Sequence, residues 1–143
     1  MPFELHPRLD ADTTWLGDLP LCRVLLSKED IGPWLILVPR IKSISEIHHL
    51  SDAEQQQFIR ESSAVSARLE MYASPDKLNI GALGNMVPQL HVHHIARYQT
   101  DAAWPGPVWG NTNGIQRHEL AQNDAAEKWR KHLSDIEGFI PAA

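Results

Sequence analysis

Apolar and polar positions along the chain change period several times, and each change predicts an element. Residues 1–19 mix Pro, Asp and Thr around Trp15 and Leu16. A short helix is expected near Asp10–Trp15, with Asp10 or Asp12 as its cap. Leu21-Cys22-Arg23-Val24-Leu25-Leu26 reads as a strand, and Glu29-Asp30-Ile31-Gly32-Pro33 as turn chemistry. Trp34 to Pro39 is a continuous apolar run bounded by prolines, the pattern of a strand buried on both faces. The tight loop between these strands predicts an antiparallel hairpin.

Ser45 to Leu50 reads as a helical turn. Ser51-Asp52-Ala53-Glu54 then opens the strongest helix, because its Ser-x-x-Glu spacing is a capping-box signature. Phe58, Val65, Leu69 and Tyr72 form its apolar stripe, and Ser74-Pro75 stops it. Lys77 to Ala82 is an expected strand, Leu83 to Pro88 a loop and Gln89 to Ala96 a further strand. Residues 99–116, rich in Trp, Pro, Gly and Asn, predict irregular packed structure. A C-terminal helix follows from Glu119 to Ile136, with Ala125, Trp129, Leu133 and Ile136 on one side. No repeat or long linker divides the chain, so residues 1–143 are expected to form a single domain. The predicted class is α+β: an antiparallel sheet with helices on one face.

Composition narrows the function. The chain has 143 residues, 13 Lys and Arg against 18 Asp and Glu, and a formal net charge of −5. That balance argues against a nucleic-acid binder working through a basic face. It leaves room for a small anionic ligand, which needs only a few local cations. No apolar run is long enough to span a bilayer, and the N-terminus lacks the pattern of a secretion signal. The single cysteine, Cys22, cannot form an internal disulfide. These features suit a cytoplasmic protein with no membrane partner.

The unusual count is eight histidines, three of which are His91, His93 and His94. Side chains alternate along a strand. Gln89, His91, His93 and Ile95 therefore share one face, and Leu90, Val92, His94 and Ala96 the other. The second face is mostly apolar and belongs on the core, which separates His94 from the other two rings. Two imidazoles on a polar face suit covalent phosphoryl or nucleotidyl transfer. One ring attacks while its far nitrogen is held by an acceptor, and the other donates to an anion. Arg97 follows this strand and Arg40 and Lys42 follow the apolar strand, where any of them could neutralise phosphate, and Gly81 and Gly84 permit close backbone approach to a ligand. Periodicity alone also admits ordinary strand histidines. A two-histidine metal site is a further alternative, although no Asp or Glu on this strand completes a coordination shell.

Gln89-Leu90-His91-Val92-His93-His94-Ile95-Ala96-Arg97 resembles the signature of the histidine-triad (HIT) superfamily, in which three histidines alternate with apolar residues. Pro33 to Pro39 is similar to the family's apolar strand ending in proline. Ile44-Ser45-Glu46-Ile47 and Leu50-Ser51-Asp52 resemble the turn and helix that follow, and Asn79-Ile80-Gly81 the Asn-x-Gly strand end. The resemblance covers about residues 20–110 in the family's order. It implies a HIT-like antiparallel sheet with a long central helix, followed by a C-terminal helical segment near residues 117–137.

The resemblance places His91 on the central, nucleophilic histidine and His93 on the last histidine, which contacts phosphate. Gln89 stands at the first histidine position, where an amide keeps hydrogen-bonding capacity but cannot carry a proton charge. His94 departs from the pattern by occupying an apolar position. The implied set is His91, His93 and Gln89 for catalysis, with Asn79, Asn85, Lys42 and Arg97 for nucleotide or phosphate binding. The loop from Gly84 to Pro88 lacks the Gly-Gln-Ser or Gly-Gln-Thr run of many members. The implied activity is hydrolysis or transfer at the α-phosphate of a nucleotide conjugate, either a dinucleoside polyphosphate or a nucleoside phosphoramidate. A nucleotide-binding module without catalysis is the alternative. The resemblance implies a homodimer and calls for no metal or other cofactor.

Overall fold

The structure, a computed structural model, describes residues 2–143. Its elements in chain order are α1 (Pro7–Asp12), β1 (Thr13–Asp18), β2 (Cys22–Ser27), β3 (Trp34–Pro39), a 3-10 turn (Ile47–His49), α2 (Asp52–Ala73), β4 (Lys77–Gly81), β5 (Val92–Arg97), α3 (Glu119–Leu133) and β6 (Ile140–Pro141). The strands form one six-stranded sheet in the order β4-β5-β3-β2-β1-β6. Each neighbouring pair is antiparallel. The α+β class expected from the sequence is the class observed.

The start of the chain differs from expectation. The helix lies at Pro7–Asp12, and Thr13 to Trp15 belong to β1. Pro7 suits the first helical turn, where its missing N–H costs nothing. The cap is neither aspartate: His6 Nδ1 accepts from the Arg8 amide at 3.0 Å. Thr13, Thr14 and Trp15 are strand formers, and they pair with Ser27, Leu26 and Leu25 of β2.

Two-sided burial explains the continuous apolar run. Every residue of β3 is buried. Leu35 and Leu37 join Val24, Leu26, Val92 and Ala96 in a core closed by Phe58, Val65 and Leu69 of α2 and Ala126, Trp129 and Leu133 of α3. Trp34, Ile36 and Val38 point the other way, with Leu25, Ile95, Val87, Val108 and Leu9. Both helices cover one face, as the alternation requires. Among the described residues, the opposite face is covered by α1 and by loops, which leaves room there for a cleft.

The capping box of α2 is present on both sides. Ser51 Oγ accepts from the Glu54 amide at 3.1 Å, and Glu54 Oε1 accepts from the Ser51 amide at 2.8 Å. Ser74 ends the helix in a left-handed conformation before Pro75. Tyr72, placed on the apolar stripe by periodicity, is exposed and stacks on His132 instead. The buried carboxylate of Glu61 accepts from the Leu21 and Cys22 amides, both at 2.8 Å, and so ties α2 to the start of β2. Helix α3 ends at Leu133, three residues short of Ile136, which still packs in the core.

The strand expected over Gln89–Ala96 is shorter at its start. Pairing with β3 runs from Leu37↔Val92 to Trp34↔Ile95, and β5 begins at Val92. Before it, the Leu90 amide is bonded to the Ile44 carbonyl, outside the ladder. Replacing Ser51 with Ala removes one of the two reciprocal caps. Urea unfolding should show a loss of about 1 kcal/mol with an unchanged m-value.

Candidate active site

His91 and His93 meet in a cleft of about 510 Å3 on the face of the sheet opposite α2 and α3. Their ring centroids are 5.0 Å apart in an edge-on arrangement. Trp34, Ile36, Leu9, Val108 and Trp109 make the apolar walls, while Ser27, Glu29, Asp12 and Asn85 add polar groups.

Hydrogen bonds assign opposite roles to the two rings. His91 Nδ1 lies 2.7 Å from the backbone carbonyl of Gln89. A carbonyl only accepts, so this nitrogen carries the hydrogen. In the neutral ring, the lone pair is then on Nε2, which has no hydrogen-bond partner among the described residues. For His93 the logic reverses. The Trp34 indole Nε1–H donates to His93 Nδ1 at 2.9 Å. An indole only donates, so Nδ1 is the bare nitrogen and Nε2 carries the hydrogen. Burial, with His91 and His94 beside it, pushes the His93 pKa down to about 3, so this ring is neutral at physiological pH. The cleft thus holds one imidazole ready to give an electron pair and one ready to donate a hydrogen bond.

His94 points into the helix-side core, as alternation requires. It is fully buried, with Nε2 2.7 Å from Ser62 Oγ on α2. Its Nδ1 is bonded to the Val92 carbonyl at 3.0 Å and therefore holds the hydrogen. The Ser62 hydroxyl then donates to Nε2. Burial lowers the His94 pKa to about 4, against the opposing effect of the backbone bond.

The remaining sequence candidates separate. Asn85 lines the cleft. Asn79, Lys42 and Arg97 do not. Lys42 is exposed in the turn after β3. Arg97 shares the face of His91 and His93 but is only 2% exposed. Its guanidinium bonds Asp101 at 2.8 and 3.0 Å, Asn79 Oδ1 at 2.7 Å and the Gly106 carbonyl at 2.8 Å. Asp101 also accepts from the amides of Tyr98, Ala103 and Trp104. Arg97 first, with these amides in support, holds the Asp101 carboxyl well below the usual carboxylate range despite its burial. Arg97 and Asn79 therefore organise the loop after β5, which delivers Val108 and Trp109 to the cleft. Gly81 serves the same wall: a Cβ there would meet the Trp109 ring at 2.9 Å, so the close approach is by an indole.

The Gln89 side chain is committed elsewhere. Its Oε1 accepts from the His6 amide at 2.8 Å, and its Nε2 donates to the Glu4 carbonyl at 2.9 Å. Position 89 reaches His91 through its backbone carbonyl. Sequence reasoning missed Trp34, Glu29 and Arg8. The signal for Trp34 was an indole N–H inside a buried run, which needs an acceptor. Glu29 accepts from the Thr112 hydroxyl, and burial raises its pKa. Among the described residues, no cluster of three or more His, Cys, Asp or Glu is arranged to hold a metal, and no helix is long and apolar enough to cross a membrane.

The tautomers are open to direct observation. Nitrogen-15 NMR at neutral pH should show hydrogen on Nδ1 in neutral His91 and on Nε2 in His93. The His93 signals should hold steady from pH 8 to 5, because its protonation is displaced to about 3. A His93 ring titrating near its ordinary value would contradict the assigned bond to Trp34.

Residues 8–100 match the family model of the HIT domain. A histidine triad protein from Marinobacter aquaeolei is similar at 48% identity and a TM-score of 0.90, over 95% of this chain and 99% of that one. A histidine triad protein from Bradyrhizobium japonicum shares 45% identity at a TM-score of 0.88, over 93% of this chain and 99% of that one. One from Sinorhizobium meliloti shares 38% identity at a TM-score of 0.85, over 93% and 96%. No curated protein matches the chain. Family match, fold and paired histidines agree: the chain belongs to the HIT family.

Proposed function

We propose that the protein cleaves nucleotide conjugates at the α-phosphate, by hydrolysis or transfer, through a nucleotidyl intermediate on His91. The observation that carries this reading is the pairing of tautomers, an open Nε2 on His91 beside an Nε2–H on His93 in one cleft. Two identical tautomers would give two donors or two acceptors. The opposed pair gives an attacking atom and a donor for the phosphate it attacks.

His91 Nε2 forms a bond to the α-phosphorus as the bond to the leaving group breaks. The leaving group departs with that electron pair and takes a proton from solvent. His91 becomes cationic, and the Gln89 carbonyl on Nδ1–H stabilises that charge while fixing the ring. The His93 Nε2–H donates to a phosphate oxygen as charge develops there. Water then attacks phosphorus, the P–N bond breaks, and its electron pair returns to Nε2. A nucleoside monophosphate is released with a proton passed to solvent. Asn85, on the cleft wall, is the retained candidate for phosphate contact. Dinucleoside polyphosphates and nucleoside phosphoramidates both fit this chemistry, since each carries a leaving group on the α-phosphorus. The apolar walls suit a base, and Ser27, Asp12 and Glu29 offer partners for sugar hydroxyls. The reading needs no metal.

The test is turnover of a panel of phosphoramidates and dinucleoside polyphosphates by wild type and His91→Asn. The variant should lose at least about 1,000-fold in kcat. Full turnover by His91→Asn would end the covalent mechanism. Nucleotide binding with no turnover by the wild type would favour a binding module.

A further inference from the structure

Arg8 is the single Lys or Arg among the described residues lining the cleft, which also carries Asp12 and Glu29. Its side chain is exposed and makes no hydrogen bond or ion pair among the described residues. A phosphate entering a cleft with two carboxylates, in a chain of net charge −5, needs a compensating cation. Lys42 and Arg97 do not meet that need, because Lys42 lies outside the cleft and Arg97 is bonded to Asp101 and its neighbours.

Arg8 reaches the cleft only because of where the N-terminal segment runs. The two ends of the Gln89 amide grip residues 83 and 85 positions away, His6 and Glu4. His6 in turn caps the helical turn that bears Arg8 and Leu9. Leu9 is buried among Trp34, Ile36 and Val87, so the turn is seated as part of the cleft wall. An amide suits this clamp, since it accepts from one backbone group and donates to another at once.

We propose that Gln89 is a positioning residue whose amide holds residues 4–6, and through them Arg8, at the cleft, where Arg8 supplies the cation for the substrate's phosphate. This rests on the nucleotide reading above and adds the source of charge recognition. It also gives the amide at position 89 a role that an imidazole cannot fill in the same way, because a neutral ring presents its donor and acceptor in opposite directions.

Calorimetric titration with AMP and with adenosine tests it, since the pair differs by the phosphate alone. Arg8→Ala should weaken AMP about tenfold and leave adenosine unchanged, and Arg8→Lys should recover most of the loss. Gln89→Ala should weaken AMP about three- to tenfold and speed hydrogen exchange at the His6 amide. Adding Arg8→Ala to Gln89→Ala should cost less than Arg8→Ala does alone, because both act through one contact. Gln89→Glu keeps the acceptor for His6 but loses the donor to Glu4, and should fall between. Equal AMP affinity in wild type, Arg8→Ala and Gln89→Glu would overturn this proposal while leaving the nucleotide reading intact. Strictly additive losses would also overturn the clamp. A wild type that binds neither ligand would overturn the nucleotide reading and this proposal with it.

Discussion

An indole nitrogen can donate a hydrogen bond and cannot accept one, and the chemistry of the cleft depends on that constraint. Trp34 sits on β3 opposite Ile95, and His93 is two positions before Ile95 on β5. Its ring is therefore the diagonal neighbour of Trp34 on one face. The indole hydrogen takes His93 Nδ1, which leaves the His93 hydrogen facing the cleft. The lead-in to β5 does the reverse for His91, whose Nδ1–H is taken by the carbonyl of Gln89. Opposed tautomers then follow from two partners of fixed hydrogen-bond sense, with no charged residue needed to set them.

Strand alternation places this chemistry within the fold. Along β5, each residue facing α2 has a neighbour facing the cleft. His94 spends its ring on Ser62 and the Val92 carbonyl, which ties the sheet to α2 beneath the site. Ile95 and Arg97 continue the cleft face, one as packing and the other as the anchor of the loop that brings in Trp109. Three histidines within four positions thus serve the two sides of the sheet, and of these only His91 and His93 meet in the cleft.

Much of this was legible in the sequence because it depends on local pattern. The run Trp34–Pro39, the capping box at Ser51 and the separation of His94 from His91 and His93 follow from periods of two and 3.6 residues and from short-range capping. The first 19 residues were harder to read. A helix of six residues is too short to show periodicity, and Pro7 with a histidine cap is a weaker signal than aspartate before a threonine. The phosphate-binding candidates Asn79, Asn85, Lys42 and Arg97 rest on the family resemblance and on order along the chain. That is a poor guide where Asp101, four residues on, captures Arg97, and where the cleft's arginine comes from residue 8. The commitment of Gln89 to residues 4–6 spans more than 80 positions, and no local pattern reports it.

The central claim is that His91 carries the nucleotide through the reaction. Rapid mixing with a substrate radiolabelled at the α-phosphate, quenched in alkali and followed by peptide mapping, tests it most directly. The account predicts transient label on the peptide bearing His91, bonded to the imidazole and discharged by water within the catalytic cycle. Label confined to His93, or product released with no labelled protein at any time during turnover, would contradict it.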